Sequence, residues 1–289
     1  MDRKTIVACL MLLLAGCTGS KAIVVGSKNF TEQVLLGEIL AQQIERQLHV
    51  PVIRKLDLGG TLLAHEALTG GSIDLYPEYT GTALTAILKQ PVASDAQAVF
   101  DRVRDRYHTE WQLAWLSPLG FNNTFAMVVR GEEKASTLSD AARSRAWRLG
   151  MGYEFQTRPD GLDGFLNIYH LRLDGAPVTM DLGLIYAALQ SRKVDMIAAN
   201  STDGLLSVLD VKVLEDDRHY FPPYQCAVVA RETTLARYPN LRPALEQLSG
   251  HLPDAVMRRL NYQVDGRHRP IAQVAEEFLN TFPVKQTAP

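Results

Sequence analysis

The amino-acid sequence predicts an α/β protein of two lobes, with a mostly parallel sheet in each lobe and a cleft between them. Two observations support this prediction. From residue 22 onward, short β-branched runs alternate with amphipathic stretches of helical period, the pattern of a parallel sheet covered by helices on both faces. The alternation occurs in two series, which extended segments near 125–130 and 224–230 connect. Two lobes joined in this way close by hinge motion.

The first series begins with the β-branched run Ile23 to Val25. Apolar residues recur behind it at helical spacing, and Gly59-Gly60 marks the start of a later helix. The predicted elements are, in order, a strand at 23–25, a helix at 32–48, a strand at 50–56, a helix at 61–68, a strand at 73–76 and a helix at 82–88.

The second series begins near Ser136, where Thr137 to Asp140 has the pattern of a helix start. Pro239 and Pro243 are expected to break the first of the C-terminal helices. The predicted elements are a strand at 148–152, helices at 163–171 and 184–192, strands at 177–180 and 194–199, and helices at 233–249, 254–262 and 271–281.

The order of these elements predicts a discontinuous first lobe. Residues 22–128 and 225–285 are assigned to lobe 1, and residues 129–224 to lobe 2. No sequence repeat, low-complexity tract or flexible linker separates them, so the two lobes are expected to share a close boundary.

Residues 1–16 have the pattern of an export signal. Arg3 and Lys4 precede an uncharged apolar run from Ile6 to Ala15, which is too short to cross about 30 Å of hydrocarbon as a helix. The run ends at Leu14-Ala15-Gly16-Cys17, which resembles a bacterial lipobox. That resemblance implies cleavage before Cys17, lipid on its sulfur, and a mature protein anchored in the cell envelope or periplasm. The alternative is an ordinary signal peptide with an accidental cysteine.

Composition narrows the function classes. The 289 residues are 46% hydrophobic, and 30 Lys and Arg nearly balance 32 Asp and Glu, for a net charge of -2. Nothing in this balance favours nucleic acid as a partner. Neither a catalytic motif nor His or Cys at metal-ligand spacing is found, so no cofactor, metal site or catalytic residue is predicted. Cys226 lies in an apolar run and is expected to be a buried structural residue.

Polar and aromatic clusters follow the predicted strands of both series. They include Gly-Ser-Lys-Asn-Phe-Thr-Glu-Gln from residue 26, Tyr-Pro-Glu-Tyr-Thr-Gly-Thr from 76, Asn-Asn-Thr from 122, Arg-Pro-Asp-Gly from 158 and Ser-Thr-Asp-Gly from 201. Loops beyond the carboxyl ends of parallel strands are where α/β folds bind ligands. In this order, the clusters resemble those of substrate-binding proteins of ABC importers for osmoprotectants such as glycine betaine, choline and carnitine, over about residues 23–282.

The resemblance implies a two-lobed periplasmic-binding-protein-like fold (type II) with a ligand cleft. It also implies a monomer that hands a quaternary amine or zwitterion to an ABC permease and its ATPase. A quaternary ammonium has no N–H, so aromatic ring faces recognise it. The matching aromatic positions are Tyr79, Phe125 and Tyr224, with Tyr76 and Tyr220 as substitutes. Lys28 and Arg158 match the anion-binding positions, and the other expected contacts are Asn29, Thr82, Asn123, Glu154, Asn200 and Thr202.

Two departures from the family pattern affect the expected ligand. Phe125 stands where relatives carry tyrosine, and Asn200-Ser201 replaces a tyrosine before Thr-Asp-Gly. These residues favour a ligand with a hydrogen-bonding group, such as the ring zwitterion ergothioneine. An extracytoplasmic enzyme using Glu154 or Asp203 as acid or base is the alternative function. The structural alternatives are a Glu154–Arg158 pair and a helix-capping Asp203.

Overall fold

The computed structural model describes residues 21–281, which form two five-stranded sheets. The predicted signal peptide and Cys17 lie outside these residues. The first sheet has the strand order β2-β1-β3-β10-β4, and the second has the order β7-β6-β8-β5-β9. The strands are β1 Ile23–Gly26, β2 Val52–Lys55, β3 Leu75–Tyr79, β4 Leu113–Trp115, β5 Phe125–Arg130, β6 Leu149–Met151, β7 Val178–Thr179, β8 Met196–Asn200, β9 Val211–Val213 and β10 Cys226–Arg231.

Helices flank both sheets. They are α1 Thr31–Leu48, α2 Thr61–Thr69, α3 Thr80–Thr82 with a π-helical continuation Ala83–Ile87, α4 Ala96–Trp111, α5 Leu138–Ser144, α6 Tyr153–Thr157, α7 Leu162–Tyr169, α8 Ile185–Gln190, α9 Glu232–Arg237, α10 Leu241–Glu246, α11 Asp254–Asp265 and α12 Ile271–Leu279. Two 3₁₀ turns, Leu182–Leu184 and Gly204–Ser207, precede and follow β8. Among the helices at residues 21–281, none is both long and apolar enough to span a bilayer.

The predicted α/β class is confirmed, but each sheet is mixed rather than mostly parallel. In the first sheet β1 pairs in parallel with β2 and β3, while β10 runs antiparallel to β3 and β4. In the second sheet β6 pairs in parallel with β7 and β8, while β5 runs antiparallel to β8 and β9. The antiparallel strands β5 and β10 follow the crossings between lobes. Each crossing reaches its new sheet from the cleft, at the carboxyl ends of the parallel strands, and therefore runs the opposite way.

The residues of β5 bear on the lobe boundary. Phe125 pairs with Asn200 of β8, so residues 125–128, assigned to lobe 1 from the sequence, lie in the second sheet. We propose that the chain crosses just before Phe125 and returns just before Cys226.

Each sheet is buried on both faces. Along β10, Ala227 and Val229 pack into one apolar cluster, while Cys226, Val228 and Ala230 pack into another. Because side chains alternate between the faces of a strand, a sheet covered on both sides needs a continuous apolar run. Cys226 is completely buried, as predicted.

Most predicted elements are present, with differences at their ends. Thr137 and Asp140 form a reciprocal capping box at the start of α5, where the sequence indicated a helix start. The predicted helix at 233–249 is two helices, α9 and α10, with Pro239 between them. Pro243 was expected to break the helix too, but it lies in the first turn of α10, where proline is tolerated. Helix α4 was not predicted, although Asp95 caps it and Val99, Phe100 and Val103 bury one face. Strands β4 and β9 were also not predicted.

Candidate functional site

A cavity of about 170 Å³ lies between the two sheets, at the strand ends where both lobes contribute loops. We call it the aromatic cavity. Every predicted ligand-binding residue except Thr202 lines it. The lining residues are Lys28, Asn29, Phe30, Gly60, Tyr79, Thr82, Asn123, Phe125, Gly152, Tyr153, Glu154, Phe155, Arg158, Met180, Asp181, Leu182, Ala198, Asn200 and Tyr224.

Lys28 lies deep in the lobe 1 wall, between β1 and α1. Its ammonium forms an ion pair of 2.6 Å with Glu78 Oε1, and the side chains are only 2% and 0% exposed. The Lys28 Nζ also donates a hydrogen bond to Thr61 Oγ1 at 3.0 Å, and Tyr76 OH donates to the second Glu78 oxygen at 2.9 Å. Lys28 is therefore a paired charge in the cavity floor rather than a free charge at the mouth of α1.

Arg158 lies in the lobe 2 wall, and its planar fork is occupied by Asp160. The Nε and Nη2 atoms donate to the two Asp160 oxygens at 2.9 and 2.5 Å. Although burial opposes it, the Arg158 charge keeps the pKa of Asp160 below its ordinary value. The Nη1 atom donates across the cleft to Thr82 Oγ1 at 2.9 Å. The expected carboxylate fork is thus closed by the protein itself, and Arg158 also joins the two lobes.

The three expected aromatic residues share the cavity, and each ring already has a protein cation nearby. Lys28 Nζ is 5.2 Å from the Tyr79 ring centre, and the Arg158 guanidinium is 5.0 Å from Phe125 and 5.6 Å from Tyr224. The rings of Phe125 and Tyr224 meet edge to face at 5.8 Å. A Cβ at Gly81 would lie 2.7 Å from the Tyr224 ring, so glycine is required there for this ring to fit. Tyr224 OH donates to Asp160 at 2.5 Å.

Glu154 joins lobe 2 to lobe 1 at the cavity edge. Its oxygens accept hydrogen bonds from the Thr61 backbone N–H at 2.5 Å and from Thr61 Oγ1 at 2.9 Å. Burial works against ionisation, but the charges of Lys28 and Arg158 keep the pKa of Glu154 below its ordinary value. The Glu154–Arg158 pair expected from the sequence is present at 3.5 Å. Glu154 is therefore an ionised carboxylate.

Thr202 is buried behind the cavity, where it takes part in a polar cluster around Glu32. The Glu32 carboxylate accepts hydrogen bonds from Thr202 Oγ1 at 2.5 Å, Tyr79 OH at 2.7 Å, Asn123 Nδ2 at 2.7 Å and Asn261 Nδ2 at 2.9 Å. Burial raises the pKa of Glu32 despite these donors. Since Glu32 is in α1 and Thr202 follows β8, this cluster joins the two lobes and explains why Thr202 faces away from the cavity.

Asn29 and Asn200 line the cavity as expected, while Ser201 does not. Ser201 Oγ accepts from the Thr124 backbone N–H and donates to the Asn122 carbonyl, so it holds the chain crossing. Asp203 precedes the 3₁₀ turn, but its side chain does not cap it. It accepts instead from the Asn200 backbone N–H at 3.1 Å and from Tyr186 OH at 3.0 Å. Of residues 200–202, only Asn200 lines the aromatic cavity and can offer a ligand the expected hydrogen-bonding group.

Known proteins resemble this chain in both sequence and structure. Residues 21–281 match the family model of the substrate binding domain of ABC-type glycine betaine transport system. The chain belongs to this family. It is 35% identical over 276 residues to the ergothioneine transport permease/ergothioneine binding protein of Helicobacter pylori, with 93% of this chain covering 49% of that protein. The chain thus spans about half the length of that relative.

Two further matches cover nearly the whole of both chains. The glycine-betaine-binding protein of Pseudomonas aeruginosa is 34% identical over 292 residues, which are 96% of this chain and 93% of that one. A crystal structure described as a glycine betaine/carnitine/choline ABC transporter superposes with a TM-score of 0.76 at 31% identity, covering 90% of this chain and 98% of that one. The predicted type II periplasmic-binding fold is confirmed by this superposition.

The carboxylates that form ion pairs with Lys28 and Arg158 were not predicted. Glu78 and Asp160 lie within motifs noted in the sequence, but neither was assigned a role. A signal for Glu78 existed: a carboxylate inside a buried strand such as β3 requires a cation or several donors. Phe30, Tyr153 and Asp181 also line the cavity without having been predicted. No three His, Cys, Asp or Glu residues between residues 21 and 281 are placed to hold a metal ion.

Proposed function

We propose that this protein is the solute-binding component of an ABC importer and binds a quaternary ammonium or betaine-like zwitterion in the aromatic cavity. The observation that carries the proposal is the presence of Tyr79, Phe125, Tyr224 and Arg158 in one cavity between the lobes. The ring faces would attract the permanent cation, at about 0.5–2 kcal/mol each.

The charges around the cavity support a ligand that carries a positive group. Lys28 and Arg158 are each neutralised by a buried carboxylate, and the ionised Glu154 adds a negative charge. The carboxylates therefore outnumber the cations. A zwitterion would bring a cation to the rings.

Size and relatives narrow the solute further. The cavity of about 170 Å³ is smaller than the roughly 300–1,000 Å³ of sites for drug-sized ligands. Relatives are named for ergothioneine, glycine betaine and carnitine, which are the solutes to test first. Asn200 supplies a side-chain amide to the cavity and favours a solute with a hydrogen-bonding group.

Calorimetry with a matched pair of ligands tests the proposal. Glycine betaine and 3,3-dimethylbutanoate have the same shape, but the second has carbon in place of the charged nitrogen. We expect glycine betaine to bind at least about tenfold more tightly than 3,3-dimethylbutanoate, which keeps the carboxylate but lacks the quaternary nitrogen. Equal affinities would show that shape alone is recognised, and the cation-binding proposal would then fail.

The remaining features of the function are also proposals. We expect an ABC permease and its ATPase as partners, a monomeric binding protein outside the cytoplasm, and lipid on Cys17. Intact mass measurement of the membrane-bound protein checks the lipid directly. The mature protein should begin at Cys17 with an acyl adduct, and Cys17→Ser should release the protein from the membrane fraction.

The alternative function, an enzyme with Glu154 or Asp203 as acid or base, has less support. Asp203 does not line the aromatic cavity. The ionised Glu154 is held by Thr61 and Arg158, which makes it a weak proton donor. The relatives compared above are named as binding and transport proteins. Turnover of a bound solute that is lost in Glu154→Gln would overturn the binding-protein proposal.

A further inference from the structure

Two of the contacts between the lobes differ sharply in burial. In the first, which we call the buried contact, the 3₁₀ turn Gly204–Ser207 of lobe 2 packs against α11 of lobe 1. A Cβ at Gly204 would lie 2.3 Å from the Tyr262 backbone nitrogen, so the turn and the helix touch backbone to backbone. Beside them Thr202 Oγ1 donates to Glu32, and these two residues are 0% and 3% exposed. Water is therefore excluded from this contact.

The second, which we call the edge contact, joins Glu154 in α6 of lobe 2 to the start of α2 in lobe 1. It consists of the two hydrogen bonds that the Glu154 carboxylate accepts from Thr61. The Glu154 side chain is 39% exposed, so water reaches it. When a partly exposed carboxylate leaves its donors, water replaces them at small net cost, whereas Glu32 would lose its donors in a site that water does not reach. The edge contact is therefore the easier of the two to separate.

Glu154 completes the start of α2 from the other lobe. Helix α2 has nine residues and begins at Thr61, after Gly60, which has no side chain to cap it, and its first turn contains no acidic residue. The first N–H groups of a helix have no partner within it and carry partial positive charge. The ionised Glu154 supplies the missing acceptor and a matching negative charge. The helix is therefore capped only while the lobes are together.

Gly60 makes room for the Glu154 carboxylate. Its backbone is extended, with φ −74° and ψ −176°, so its conformation does not require glycine. Space does require it, because a Cβ at Gly60 would lie 2.8 Å from Glu154 Oε1, and the three nearest heavy atoms to that Cβ all belong to Glu154. The side chain in the way thus comes from the other lobe, and glycine is needed at this position in the closed form alone.

We propose that the edge contact is a latch, a contact made only in the closed form, and that the cleft opens there while the buried contact stays intact. Gly60 and Glu154 both line the aromatic cavity, so separating them opens a path into it. In this role Glu154 is a positioning residue, which raises solute affinity by favouring the closed form. The effect on affinity rests on the proposed function, whereas the place at which the lobes separate does not.

Amide hydrogen exchange measured by NMR on the full chain without solute tests where the cleft opens. The Thr61 backbone N–H reports on the edge contact, and the Asn261 side-chain amide, which donates to Glu32 and to the Thr202 carbonyl, reports on the buried contact. We expect a protection factor at least about tenfold lower at Thr61 than at Asn261, and a still lower one for Thr61 in Glu154→Ala. Equal protection at the two amides, or Thr61 protection unchanged in the variant, would overturn the proposal.

A double-mutant cycle on solute affinity tests the latch itself. In calorimetry with the tightest-binding of glycine betaine, choline, carnitine and ergothioneine, Glu154→Ala and Gly60→Ala should each weaken binding by about fivefold, since each removes the latch. The double variant should bind like Glu154→Ala alone, because the added methyl group then has no carboxylate to displace. Glu66→Ala, which removes an exposed carboxylate near the other end of α2, is the matched control and should bind like the wild type.

The cycle separates a latch from a direct solute contact. Losses that multiply in the double variant would mean that Glu154 and Gly60 act separately, and they would overturn the latch, as would wild-type affinity in Gly60→Ala. If none of the four solutes binds the wild type, the proposed function fails, while the exchange experiment, which uses no solute, still decides where the cleft opens. Failure of one proposal is therefore distinguishable from failure of the other.

Discussion

A second cavity, lined in part by Asp181, Asp203 and Asp265, lies beside the aromatic cavity, and we call it the acidic cavity. The two cavities share five lining residues but differ in how their charges are paired. In the aromatic cavity, Lys28 and Arg158 each face a buried carboxylate. In the acidic cavity, Asp203 and Asp265 are held by neutral donors. The difference separates two roles for buried charge. A paired charge stays ionised and stabilises the cavity wall, whereas burial of a carboxyl group without a cation raises its pKa.

The largest expected effect comes from breaking a pair in the aromatic cavity. Lys28→Met leaves Glu78 buried without its cation and should lower the free energy of unfolding by about 3–5 kcal/mol. Chemical denaturation measures this loss. The double variant Lys28→Met/Glu78→Gln should recover part of it, because the uncompensated charge is gone. A Lys28→Met variant as stable as the wild type would show that the pair does not hold the wall.

The next effect concerns ligand affinity. Tyr224→Ala removes a ring that lines the aromatic cavity and should weaken binding of a quaternary solute by about 2 kcal/mol, or about 30-fold. Tyr224→Phe keeps the ring and loses only the hydrogen bond to Asp160, so it should cost less. Calorimetric titration of both variants compares them. Equal losses would assign the contact to the hydroxyl group rather than to the ring face.

Removing a charge from the acidic cavity should have the opposite sign. In the unfolded chain Asp203 loses its proton near the ordinary aspartate pKa of 3.8, whereas in the folded protein burial raises that pKa to about 7. The folded state therefore binds more protons between these values, and its stability falls as pH rises through them. Asp203→Asn should be more stable than the wild type at pH 8 by on the order of 1 kcal/mol, since the residue is only partly buried and solvent screens its charge. Thermal melts from pH 4 to pH 8 check this difference, which should vanish near pH 4.

The smallest effect tests the contact between lobes. Thr82→Val removes the acceptor of Arg158 Nη1 while keeping the shape of the side chain. We expect a loss of about 1 kcal/mol in solute affinity, or about fivefold, with unchanged unfolding of the protein. Calorimetry and small-angle X-ray scattering, with and without solute, measure affinity and closure. Unchanged affinity would show that the hydrogen bond between Arg158 and Thr82 does not contribute to solute binding.

Sequence patterns predicted much of the fold and of the aromatic cavity, for identifiable reasons. The β-branched runs and helical stripes of both series correspond to β1, α1, β3 and β8 because burial on two faces forces those patterns. Helix α4 was missed although Val99, Phe100, Val103 and Tyr107 form a regular stripe. The strand direction of β5 and β10 depends on the chain path between lobes, which no local pattern encodes.

Charge pairing was the least predictable part of the site. Motifs located Lys28 and Arg158, but their partners Glu78 and Asp160 depend on which side chains meet in space. Thr202 was expected to contact ligand because it lies in a family-like motif. Its hydroxyl donates a hydrogen bond to Glu32 in α1 instead, which places it outside the aromatic cavity. The residues that line the acidic cavity come from segments as far apart as Asn29 and His268, so no single stretch of sequence predicts it.

The position of β10 has a consequence for how the molecule is made. The second sheet uses strands from one continuous stretch, 125–213, and can assemble once that stretch has been synthesised. The first sheet needs Cys226–Arg231 between β3 and β4, and within residues 21–281 β4 pairs with no other strand. The first sheet therefore stays incomplete until the chain has been synthesised through Arg231. The sheet whose first strands are made earliest is thus the last to be completed.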